Sequence, residues 1–220
     1  MTSRIPTIAD EDPRAERGIG RRDPWEARGV VRLLAKPAAF LAANWAAMLA
    51  MLSVVGIIPA MAGATRITGD LAQYADEAFT GTLRHVRRTL LRDAPVSMTL
   101  LLVLGGIGAN ALVLPRMEIP TRVFLVGVML PIVWVMIALF SAYVLAAAQD
   151  AHAERTTIVL RALALVVRRP FTALVAPALI VVLSPLWLLA PLTIAVGFSV
   201  PPWVLGRLWG GQPTDVPADA

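Results

Sequence analysis

The sequence predicts an all-α fold, a polytopic integral membrane helical bundle. Of its 220 residues 57% are apolar and only 16% charged, with a mean hydropathy of +0.69. The charges are also segregated, because residues 37–65, 94–115, 123–149 and 170–206 contain no Asp, Glu, Lys or Arg. Each of these stretches exceeds the roughly 20 residues that a helix needs to cross a bilayer. Together they take up 115 residues, which leaves too little polar chain for a separate soluble catalytic domain.

Residues 1–36 carry eight basic and six acidic side chains, with Pro6, Pro13 and Pro24 among them. This composition predicts a disordered cytoplasmic tail ending in the juxtamembrane residues Arg28, Arg32 and Lys36. The apolar run that follows is too long for a signal peptide, and Asp23, Pro24 and Glu26 spoil a twin-arginine reading of Arg21 and Arg22. It is expected to be a retained span. The membrane domain then covers 37–210, and 211–220 form a second disordered tail.

The first stretch is either one tilted helix or a hairpin turning at Gly56 to Pro59, and the positive-inside rule decides between them. A single crossing divides the basic residues evenly, whereas the hairpin puts eighteen of twenty on one side. The hairpin is therefore expected, with both termini cytoplasmic. Its second arm, Pro59 to about Tyr74, carries Arg66 and Asp70, one helical turn apart and able to pair. Ala60, Gly63, Ala64 and Gly69 give that arm a small-residue surface for close packing. It is expected to be short, and either a full span or an incomplete one.

Residues 94–115 and 121–148 form the next two spans, turning at Pro115 and Pro120. The last charge-free stretch is 37 residues long, too long for one crossing, so breaks are expected at Ser184, Pro185 and Pro191. About six membrane segments in three hairpins result. Amphipathic basic cytoplasmic helices lie between them. In the first, Phe79, Leu83, Val86 and Leu90 form an apolar face, while Arg84, Arg87, Arg88 and Arg92 crowd the remainder. The second runs from about 154 to 169.

The absence of cysteine rules out disulfides, thiolate metal sites and thiol nucleophiles. A net charge of +5 comes from loop Arg and Lys facing an anionic leaflet, so nucleic acid is not an expected partner. His85 and His152 lack the spaced partners that a metal site requires, and no cofactor is expected. No hydrolase, metalloprotease or P-loop motif occurs. Gly105, Gly106 and Gly108 lie within a span, where close packing against a neighbouring helix accounts for them better than a nucleotide loop. Trp187, Trp203 and Trp209 fall near span ends as an aromatic belt would, whereas Trp45 and Trp134 are expected to pack inside.

Asn44 and Trp45, an apolar run to Gly56, then Ile58, Pro59 and Ala60 with Arg66 beyond, and a basic helix led by Phe79, make residues 40–100 similar to the YesL-like family. These are bacterial integral membrane proteins, a domain of unknown function. Leu83 departs from the aromatic residue that family carries there. The resemblance implies no catalytic activity, a place in the bacterial plasma membrane, and an accessory role in carbohydrate uptake beside an ABC transporter permease. The residues themselves point to the lipid bilayer as a partner and to polar groups at membrane depth as candidate functional residues: Asn44, Trp45, Arg66, Asp70 and Asn110. A non-enzymatic accessory protein is the leading expectation. The alternative is a small transporter or channel with a polar route near Asn44, Arg66, Asp70 and Asn110.

Overall fold

The computed structural model describes residues 30–210, so the expected tails at 1–29 and 211–220 lie outside the described residues. Val30–Leu34, described as helix, belongs to a different unit from the one that starts at Ala35. Helix thus replaces the expected tail from Val30 onward.

Ten α-helices follow among the described residues: α1 (Val30–Met51), α2 (Ile57–Gly69), α3 (Leu71–Tyr74), α4 (Ala78–Val113), α5 (Ile119–Gln149), α6 (Arg155–Arg168), α7 (Pro170–Leu183), α8 (Pro185–Leu188), α9 (Ala190–Leu192) and α10 (Val200–Leu208). Among those residues there is no strand. Among the described residues four stretches are long and apolar enough to cross a membrane: Leu34–Met51, Ala75–Arg116, Ile119–Gln149 and Pro170–Leu188. The other two expected segments are of a different kind. α2 has 13 residues and spans about 20 Å against a hydrocarbon core of about 30 Å. The last segment is interrupted by α8, α9 and a π turn before α10.

Small residues decide how α1 and α2 meet. Ala39, Ala43, Ala46, Ala47 and Ala50 recur at helical spacing and are all buried, while Leu41, Trp45 and Leu49 face outward. The chain reverses after Met51, so that Ala47 and Ala50 pack with Ala60 and Ala64, and Ala39 and Ala43 with Ile67. With no bulky side chain between them the two backbones approach closely, and dispersion and shape hold the pair. Gly56 makes the reversal possible, since a Cβ there would overlap the Ala50 carbonyl. Gly63 brings α2 onto α4, where a Cβ would lie 3.2 Å from the carbonyl oxygen of Thr82.

α4 corrects two expectations at once. The basic amphipathic helix and the span after it are one continuous helix of 36 residues, with Pro95 inside. Its packed face follows the Phe79, Leu83, Val86, Leu90 row only in part: Val86 is buried and Leu90 packs against the same cluster, whereas Phe79 is 37% exposed. The buried residues are Ala78, Thr82, His85, Val86, Thr89, Asp93 and Ser97, a mostly small and polar stripe. Thr82 and Thr89 satisfy their hydroxyls by donating to the carbonyls of Ala78 and His85 one turn back. Large apolar side chains point outward instead, Leu91 at 89% exposed and Leu102 at 74%. A soluble domain would hide such residues; a bundle bathed in hydrocarbon has no reason to.

The core gathers around the second half of α5, where every residue from Ser141 to Ala148 is buried. α2, α6, α7 and α10 close over it, with Ile58, Ile158, Ala176, Leu205 and Trp209 in one cluster. Trp209 is 1% exposed and donates its indole N–H to the Ser141 hydroxyl, so it belongs to this core and not to an interfacial belt.

Candidate functional site

The polar residues of the bundle collect in two places, and the larger is where α2 ends, α4 begins and α5 gives way to α6. Asp93 is fully buried there. Its Oδ1 accepts Arg92 Nε at 2.9 Å, its Oδ2 accepts Arg92 Nη2 at 2.9 Å, and the Tyr143 hydroxyl donates to Oδ1 at 2.7 Å. Adjacent helical residues diverge, so the guanidinium must fold back across the helix to make this fork. Its remaining Nη1 donates to the carbonyls of Asp150 at 2.9 Å and Ala153 at 3.2 Å. A charge taken out of water is tolerated only when paired and hydrogen-bonded in this way.

The network continues through Asp150, which shapes the turn between α5 and α6. Its Oδ1 accepts the backbone N–H groups of His152 at 2.9 Å and Ala153 at 3.0 Å, and its Oδ2 lies 3.5 Å from Arg161 Nη1. The His152 N–H above all, then the Ala153 N–H and Arg161, hold the Asp150 carboxyl below its ordinary pKa against the opposing effect of burial. α4, α5, the turn and α6 are thereby tied by one set of charge-assisted bonds.

Beside this network is a polar pocket of about 290 Å³. Arg66 from α2, Arg84, His85 and Arg88 from α4, and Asp150 and His152 from the turn are among its walls. The Arg66 guanidinium sits 5.9 Å from the centre of the Tyr74 ring, a cation–π contact. Asp70 forms the C-cap of α2. Arg84 pairs loosely with Glu77 at 3.4 Å, both well exposed. His85 is 5% exposed, and its Nε2 is buried without a hydrogen-bond partner.

The second polar place is Asn44, also fully buried. Its Nδ2 donates to the carbonyls of Ile194 at 2.8 Å and Thr193 at 3.2 Å, and its Oδ1 accepts the Phe198 N–H at 2.7 Å. Those three groups flank the π turn Thr193–Gly197, where the regular α-helical ladder is broken. The Thr193 hydroxyl reaches the Leu186 carbonyl at 2.8 Å and the Trp187 indole the Gly197 carbonyl at 2.7 Å, holding the same broken stretch. Inside it lies an apolar cavity of about 420 Å³, with Met61, Leu104, Phe140, Trp187 and Phe198 among its walls.

The expected polar residues therefore do not converge on one cavity. Asn44 is spent on backbone, Arg66 faces the polar pocket, and Asn110 lines an apolar groove of about 430 Å³ between α4 and α5. Trp45 is 45% exposed on the outer face of α1, so it does not pack inside. A Cβ added at Gly105, Gly106 or Gly108 would meet nothing within 4 Å, so among the described residues no helix packs closely on them. Arg92 is the exception among the four arginines of α4, since its side chain is turned inward while Arg84, Arg87 and Arg88 stay exposed. Sequence reasoning missed Asp93, Tyr143 and Asp150. The signals were there: an acid at the very edge of a charge-free run, and a lone tyrosine inside one.

Among the described residues no three His, Asp or Glu side chains gather as metal ligands would. No protein-family model matches the chain, and no curated protein or solved structure shows significant similarity to it.

Proposed function

We propose that this chain is a non-enzymatic accessory protein of the bacterial plasma membrane, with six segments and both termini cytoplasmic, serving ABC-type carbohydrate uptake by docking on the transporter's permease. The carrying observation is how the arginines are divided. Arg92 is consumed in holding the bundle, whereas Arg84, Arg87 and Arg88 on α4 and Arg155, Arg161 and Arg168 on α6 remain exposed. Such a rim suits a cytoplasmic membrane face and a protein partner there. Copurification with an ABC permease in mild detergent is the expected result. Repeated purification alone, with normal sugar uptake in a deletion strain, overturns the reading.

One observation favours a small transporter as the second reading. The stretch Pro185–Gly197 is discontinuous and borders the 420 Å³ cavity, and broken helices beside a cavity are what transporters use at their binding sites. Flux through reconstituted liposomes that falls in Arg66→Ala and Asp70→Ala supports it; flux unchanged by both counts against it.

A further inference from the structure

We propose that the pocket between Arg66, His85 and Arg88 is a binding site for a phosphate-bearing anion. Some of its charges are committed to partners and others are not. Of the two acids lining it, Glu77 pairs with Arg84 in the same wall, and Asp150 is held by two backbone N–H groups and by Arg161. Arg66 lies against the Tyr74 ring, and neither Arg66 nor Arg88 takes part in the Glu77, Asp93 and Asp150 ion pairs. Three guanidinium groups, those of Arg66, Arg84 and Arg88, thus border one space of about 290 Å³ with two carboxylates, so the wall is net positive.

His85 supplies the second, independent observation. It is 95% buried, by the 5% exposure that remains, yet its Nε2 has no partner, and it is in the wall of this pocket. Buried polar atoms in folded proteins are nearly always satisfied, so this orphan, itself closed off from water, is an unsatisfied polar atom in a residue of a net positive wall. A phosphate offers several oxygens to forked donors on opposite walls, and a volume of about 290 Å³ admits it with a small substituent. The apolar neighbours Ile67 and Gly81 leave space for that substituent. A lipid headgroup and a soluble phosphate ester present the same chemistry here.

The test uses the full chain, purified in detergent for one arm and in lipid nanodiscs for the other. In the first, affinities for inorganic phosphate and glycerol phosphate are measured by calorimetry; in the second, retention of phosphatidic acid against phosphatidylcholine is read by native mass spectrometry. Arg66→Gln and Arg88→Gln are each compared with Arg87→Gln, which carries the same charge change on α4 outside the pocket. Size-exclusion profile and thermal unfolding confirm that each variant is folded, and the two pocket variants stand in for one another if either is not. Loss of about tenfold or more in Arg66→Gln or Arg88→Gln, with Arg87→Gln close to the parent, is the expected result in at least one arm, and the arm identifies the source. Equal losses in all three variants indicate diffuse attraction to the basic rim and overturn the proposal. So does absence of selective binding in both arms.

Discussion

The Tyr143 hydroxyl donates to the Asp93 carboxylate at 2.7 Å, across 50 residues of sequence, and fixes α5 against α4 at a point no water reaches. Asp93 depends more on Arg92, which gives it two bonds, than on Tyr143, which gives it one. Arg92→Gln leaves a buried carboxylate uncompensated and is expected to cost about 3–5 kcal/mol. Tyr143→Phe removes one charge-assisted bond and should cost about 1.5–3 kcal/mol. Unfolding in mixed micelles checks the order, and a double-mutant cycle with Asp93→Asn should show strong coupling to both.

Asn44 joins α1 to the broken segment through both halves of its amide. Asn44→Leu, nearly the same size, strands the carbonyls of Thr193 and Ile194 and the N–H of Phe198. A loss of about 1–3 kcal/mol is expected, with faster hydrogen exchange confined to residues 185–199. Uniformly faster exchange across the bundle would mean that Asn44 supports the whole fold and not this stretch.

Glycines divide by what surrounds them. Gly56→Ala drives a methyl into the Ala50 carbonyl and is expected to abolish the monodisperse folded species on size exclusion. Gly106→Ala meets open space inside a helix, so it should be neutral or raise stability by up to about 1 kcal/mol.

Acid should loosen the turn between α5 and α6 first. The Asp150 carboxyl has its pKa lowered in the folded chain, chiefly by the His152 N–H. A lowered pKa means that the carboxylate's contribution is complete above the unfolded value and fades as pH falls through the folded one. Limited proteolysis near residues 150–154 should therefore rise below about pH 4. In Asp150→Asn the acid-dependent increase should be absent.

How much of this was legible depends on the range of the interaction concerned. Runs without charge marked the long helices, and the break expected in the last charge-free stretch is present, at Leu189 between Pro185 and Pro191, because span length and proline chemistry are local. The packed face of α4 was legible only in part, through Val86 and Leu90. Periodicity finds the apolar stripe, but in this bundle Thr82, His85 and Asp93 turn inward while Leu91 turns out. Asn44 was recognisable as a buried polar residue, yet its partner is backbone some 150 residues away, and a π turn has no clear sequence signature. The Arg92–Asp93 fork was hidden for a similar reason. Neighbouring helical charges normally diverge, and only Tyr143 and the 150–153 turn, brought in by the fold, make the paired arrangement stable.

The basic end of the bundle and the Pro115 to Glu118 turn lie at opposite ends of α4, and the account places a bilayer between them. The chain has no cysteine, so one introduced at either end reports without background. Thr80→Cys and Glu118→Cys, treated in intact cells with a membrane-impermeant maleimide and then after lysis, give the most direct test. Glu118→Cys is expected to react from outside and Thr80→Cys only after lysis; labelling of Thr80→Cys in intact cells, or protection of Glu118→Cys, would contradict the account.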